Sequence, residues 1–69
     1  MINLYSIGQL LLAAESRPAY ISLGQNLYNT LWAKYPGLAN EINGGPLDPF
    51  HDDDNIPDFI KFLCEKALE

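Results

Sequence analysis

Asp48, His51, Asp52, Asp53, Asp54 and Asp58 stand close together in the last third of this 69-residue chain. Such a run of carboxylates invites calcium chemistry, which needs six to eight oxygen ligands at set positions of a loop. Counting from Asp52 as a first ligand, Asp54 fits position three. Ile56 and Pro57 then take the places of the third ligand and the obligatory glycine, and Leu63 sits where a bidentate glutamate belongs, so the pattern fails. Magnesium could use two of these carboxylates, as it could on many acidic surfaces. The residue types also suit a plainer role, because Asp and Asn form turns and cap helices. Asp48-Pro49 then starts a turn and Asp52–Asn55 leads into a helix. The expectation is a structural loop around Asp48, Pro49, Phe50 and Asp52, with no metal and no other cofactor.

His51 beside three aspartates has the ingredients of a pH switch or a general base. A base needs a partnered nucleophile, and the Ser and Thr residues read as caps or surface, so no triad is visible. Pairing with a neighbouring carboxylate is the expected state of His51, and the chain is not expected to be an enzyme. Cys64 is the only cysteine. It has no C-x-x-C companion, and its helical position beside Ile60 and Leu63 predicts a partly buried, inert thiol. Trp32, Tyr28 and Tyr35 have rings able to stack on bases, but without a basic surface they read as core.

Charge decides several of these points. The net charge is −5. Through position 47, Arg17 and Lys34 cancel Glu15 and Glu41. From position 48 onward Asp48, Asp52, Asp53, Asp54, Asp58, Glu65 and Glu69 face only Lys61 and Lys66. An excess of carboxylates argues against nucleic-acid binding, which requires a basic surface to neutralise phosphates. The apolar runs fall short of the roughly 18 residues of a membrane span. The first residues carry no basic charge before Arg17 and no cleavage pattern, so a secretory signal is not expected. With one free cysteine, the expected location is the cytoplasm.

These side chains must be positioned by a small fold. A chain of this length forms one domain and buries only about 60% of its unfolded surface. One cysteine and one histidine allow neither an internal disulfide nor a structural zinc site, so packing must hold the core. The expected fold is all-α: four short helices, with a turn-rich acidic loop between the third and the last. Leu4, Ile7, Leu10, Leu11 and Ala14 share one face of a first helix running from Leu4 or Ile7 to Glu15, ended by Arg17-Pro18. Tyr5 and Leu12 fall on its other side. A second helix from Leu23 to about Lys34 buries Leu23, Leu27 and Leu31, flanked by Tyr28 and Trp32. Gly24 lies in that apolar face, where another helix could approach closely. Pro36 opens a short third helix through Ile42, with Leu38, Ala39 and Ile42 inward and Gly44-Gly45 ending it. A last helix from Ile56 or Pro57 to Leu68 buries Phe59, Ile60, Leu63 and Ala67, capped by Asp54 or Asn55. One small pattern occurs twice: Ser6-Ile7-Gly8-Gln9-Leu10-Leu11 and Ser22-Leu23-Gly24-Gln25-Asn26-Leu27. Both contain the S-x-x-Q of a capping box and predict two helix starts.

Two places hint at a partner. The outer face of the second helix, Gln25, Asn26, Asn29 and Thr30, carries no charge, whereas solvated helix faces usually mix both signs. Phe62 sits among Asp58, Glu65, Lys66 and Glu69. Either Phe50 and the acidic loop cover it, or it is exposed for a partner.

The motif series Gly24-Gln25-x-Leu27-Tyr28-Asn29-x-Leu31, Pro36-x-Leu38-Ala39-x-x-Ile42, Leu47-Asp48-Pro49-Phe50-x-Asp52-Asp53 and Ile56-Pro57-x-Phe59 resembles small uncharacterised bacterial and prophage-type proteins. The resemblance covers roughly residues 23 to 63. It implies a defined structural element at the DPF segment and carries no activity, substrate or site residue. The leading functional expectation is a non-enzymatic acidic helical protein that contacts another protein or its own copy. One alternative is a small inhibitor whose acidic last third mimics nucleic acid; another is a metal-binding accessory protein.

Overall fold

Asn3 starts the first helix. In the computed structural model, which describes residues 2–69, its backbone is extended and its side-chain oxygen accepts the Ser6 amide at 2.7 Å. Helix α1 therefore spans Leu4–Glu15. Ser6 is not a cap, contrary to the first S-x-x-Q reading: Asn3 takes the capping position first and leaves Ser6 in the opening turn. Ile2 and Ile7 then occupy the two positions of a hydrophobic staple, and both are buried in the same cluster. Ile7, Leu10 and Ala14 form the buried line of α1. Leu4, expected on that line, is 58% exposed, because it is the first helical residue and lies at the edge of the buried sector.

The second S-x-x-Q does start a helix. Ser22 is extended and its hydroxyl accepts the Gln25 amide at 3.1 Å, opening α2 at Leu23–Lys34. Leu27 and Leu31 are fully buried, and Leu23 is half-buried. The connection between α1 and α2 is tied by the Arg17 guanidinium, whose Nε donates to the Ile21 carbonyl at 3.1 Å. Pro36 is the first residue of α3, Pro36–Ile42, where its missing N–H costs nothing. Gly44 follows α3 with φ +76°, the left-handed conformation that ends a helix and that glycine adopts without strain.

The last helix, α4, spans Ile56–Leu68. Its start differs from expectation. A 3₁₀ turn, Asp53–Asn55, runs directly into it, and Asp52 caps that turn by accepting the Asp54 amide at 2.9 Å. Neither Asp54 nor Asn55 caps α4 with its side chain. Asn55 already has helical backbone angles, φ −83° and ψ −5°, so its amide group is aimed back into the loop instead.

Among the described residues the architecture is all-α with no strand. Helix α1 packs on α2 and α4, α2 packs on α3, and the 3₁₀ turn contacts α2 and α4. One core of Ile2, Ile7, Leu10, Ala14, Leu27, Leu31, Ala39, Ile42, Phe59 and Leu63 joins all four helices. Cys64 is half-buried against it, as the helical spacing predicts. Among the described residues no helix is long and apolar enough to cross a membrane. Lys66 ties α4 to α3 through Glu41 at 3.5 Å and also meets Glu69 at 3.8 Å. Both carboxylates are largely exposed, so these pairs add about 1 kcal/mol or less.

Candidate functional site

The acidic loop is built around Asp48. Its residue is only 7% exposed. Oδ2 accepts the Gly44 amide at 2.8 Å and Oδ1 accepts the Phe50 amide at 2.9 Å. The Asp48 amide donates to the Gly45 carbonyl at 3.1 Å, and its own carbonyl accepts Asn55 Nδ2 at 3.0 Å. One side chain thus closes the turn after α3, the turn at Pro49 and, through the backbone, the entry to α4. Pro49 behind it is fully buried.

Asp53 carries the loop across to α2. Its Oδ1 accepts the Gly24 amide at 2.9 Å, next to the amide that Ser22 holds. A carboxylate at the positive end of the helix dipole is favourable beyond the hydrogen bond itself. The approach needs glycine. A Cβ at position 24 would collide with the Pro49 carbonyl oxygen and with Asp53 Oδ1. What comes close to Gly24 is therefore the loop backbone, not another helix as its place in the apolar face suggested.

Tyr28, Phe50 and His51 cover the loop on one side. Phe50 meets Tyr28 edge-on at 5.8 Å, and His51 meets Phe50 at 4.7 Å. The Tyr28 hydroxyl donates to the Ala39 carbonyl at 3.2 Å. Burial, and secondarily the negative charge of Asp48, push its pKa above the ordinary tyrosine value of 10.0. The expectation that His51 pairs with a neighbouring carboxylate does not hold. Its ring packs on Phe50, and the ion pairs among the described residues are those of Lys66. The carboxylates Asp48, Asp52 and Asp53 each hold a different set of backbone amides, and among the described residues no three His, Cys, Asp or Glu side chains converge on a metal-sized site.

The uncharged face of α2 divides in two. Asn26 turns toward α1 and donates from Nδ2 to the Ala14 carbonyl at 2.6 Å, satisfying the end of that helix. The Thr30 hydroxyl donates to the Asn26 carbonyl at 2.7 Å. Gln25 is half-buried and Asn29 exposed on the outward side. Trp32 joins them there by helical spacing and is 52% exposed, correcting its reading as a core ring. Gly24, Leu27 and Leu31, with Leu23 and Tyr28 packed beside them, occupy the core side of α2, and the Trp32 ring is left at the edge.

Phe62 meets neither of its two expectations in full. Phe50 packs on Tyr28 and not over Phe62. Phe62 is half-buried against the core, with the Lys66 ammonium 5.6 Å from its ring centre. It shares a shallow groove of about 240 Å³ with Leu47, Asp58, Lys61 and Glu65. A second groove, about 310 Å³, lies between Ile2, Tyr35, Gly37, Leu38, Lys66 and Glu69.

Sequence reasoning placed Pro49 in the structural loop but missed its full burial, and it missed Ile2 and the long-range bond of Asp53. A capping residue type at Asn3, with Ile2 before it and Ile7 four positions after it, was a signal for the burial of Ile2. Nothing local marks the other two, which depend on where the loop lands. Comparisons with models of known protein families, with curated proteins and with solved structures find no match.

Proposed function

We propose that this chain works by binding another protein through the outward face of α2, with Trp32 as the anchor and Gln25 and Asn29 beside it. On this reading it is not an enzyme and needs no cofactor. The observation that carries the proposal is a half-exposed tryptophan on a helix face that bears no charge. Interface centres are depleted in charge and enriched in tryptophan, and such rings dominate binding energy. The helix is also held in place before a partner arrives. Ser22 and Asp53 satisfy its first turn, and Asn26 locks it to α1. A helix ordered beforehand loses less freedom on binding.

Phe62 contributes less to this reading, since it is already partly buried against the core and Lys66 sits over the ring. Nucleic-acid mimicry by the acidic last third is also less supported, because Asp48, Asp52 and Asp53 are engaged with backbone amides.

The test is affinity capture from the native host with wild-type protein and with Trp32→Ala and Asn29→Lys. A specific partner should be retained by the wild type and lost by roughly 30-fold or more in affinity with Trp32→Ala, a hot-spot effect. Both variants should melt within about 2 °C of wild type, as exposed positions do. A partner held equally by all three proteins would refute the proposal.

A further inference from the structure

We infer that the outer face of α1 is a self-association surface, on which a second copy of this chain docks its own α1 antiparallel. This surface is separate from the α2 face proposed above.

Helix α1 carries apolar residues on two sides, with Ser6 and Gln9 on the strip between them. Its buried line is complete with Ile7, Leu10 and Ala14. On the other side Leu4 is 58% exposed, Tyr5 76% and Leu12 62%. At 3.6 residues per turn these three and Gly8 share a sector of about 100°. A helix that is apolar on both faces is normally covered on both.

Gly8 lies in the middle of this sector, and its missing side chain serves nothing within one copy. A Cβ there would meet no atom within 4 Å. Glycine in an exposed helix interior is unfavourable by about 1 kcal/mol relative to alanine. A close crossing of two helices at Gly8 gives that absence a use.

Charge selects the occupant. Each copy carries −5, and the excess lies from Asp48 onward, in the loop and α4. The outer sector of α1 carries one charge, Glu15, at its C-terminal end. Helix α4 packs on the core side of α1. Copies meeting through α1 therefore keep their acidic regions apart. An antiparallel crossing at Gly8 puts Leu4 opposite the other copy's Leu12 and separates the two Glu15 side chains by about 20 Å, beyond the screening length. A parallel crossing would set those carboxylates side by side. A lipid surface fits less well, since interfacial helices use Lys and Arg on their flanks and α1 has neither.

The small area of the face points to a weak association. The face offers on the order of 500 Å² per copy, below the roughly 800 Å² of a standard stable interface. The dimer is accordingly reversible, with Kd on the order of 100 µM.

Sedimentation equilibrium between about 10 µM and about 1 mM tests this. Wild type should pass from monomer to dimer and no further, as a two-fold interface requires. Leu12→Lys and Tyr5→Lys should each raise Kd at least about tenfold while keeping the helical circular dichroism. Gly8→Ala should raise Kd about threefold or more, yet raise the melting temperature of dilute monomer. Trp32→Lys should leave Kd unchanged, which separates this surface from the α2 face. A wild type that stays monomeric throughout, lysine variants that dimerise as well as wild type, or a dimer abolished by Trp32→Lys would each overturn the inference.

Discussion

Gly8 and Gly24 hold the same place in two copies of one short pattern, Ser-x-Gly-Gln, yet their surroundings are opposite. Gly24 is buried where the Pro49 carbonyl and the Asp53 carboxylate press against α2. Gly8 faces open space in the middle of α1. The difference arises one step upstream. Ser22 follows a connection and becomes a cap, whereas Asn3 begins α1 early and carries Ser6 into the helix. A matching motif fixes what a segment can do. The preceding residues and the distant chain decide which option is used.

The comparison predicts opposite signs for the same substitution. Gly24→Ala should destabilise by about 3 kcal/mol, since the new methyl forces the loop backbone away and breaks the amide–carboxylate bond, outweighing alanine's gain of about 1 kcal/mol in helix propensity. Gly8→Ala should stabilise the monomer by up to that same gain. Urea titration of both at micromolar protein would show it, and a Gly24→Ala variant as stable as Gly8→Ala would mean that the loop is not seated on α2.

Asp48 sharpens the point from the loop side. Asp48→Ala leaves two half-buried backbone amides without their acceptor and should cost about 1–3 kcal/mol. Hydrogen exchange at Gly44 and Phe50 should accelerate with it, and the Gly24 amide should follow if loop and helix act as one unit. Unchanged protection at Gly24 would show that Asp53 holds α2 independently of Asp48.

The smallest effect concerns Tyr28. Its folded pKa is raised above the value of about 10 in the unfolded chain. Folding then favours the protonated form. The associated stability is fully present below about pH 10 and is lost as pH rises through the raised folded pKa. Absorbance titration should show one of the four tyrosines ionising late, and Tyr28→Phe should remove that late step. A late step that survives in Tyr28→Phe belongs to another tyrosine.

Much of the architecture was legible in the chain because it rests on local rules. The bounds of α2, the Pro36 start of α3 and the Gly44 stop follow from caps, proline and glycine, and the 3.6-residue period finds the buried Phe59 and Leu63 of α4, with Ile60 and Ala67 only half-buried beside them. The acidic loop was legible as turn chemistry, and Asp48 acts as that chemistry requires. What sequence could not place were contacts between segments far apart in the chain. Asp53 reaching Gly24, Phe50 choosing Tyr28 over Phe62, and Trp32 being left at the surface depend on how elements settle against each other. The candidate surface was half visible: an uncharged α2 face could be read from spacing, but not that Asn26 would be taken up by α1 or that Trp32 would stand in its place.

The bond from Gly24 to Asp53 also has a consequence for the order of events during synthesis. The two residues are 29 positions apart. At ribosomal rates of about 5–20 residues per second, α2 leaves the ribosome seconds before the carboxylate that completes its first turn. Helices α1 to α3 can collapse on their apolar faces in that interval, but the start of α2 stays open to water. The acidic segment thus acts as a late latch, and the N-terminal half reaches its final form only after the C-terminal third has emerged.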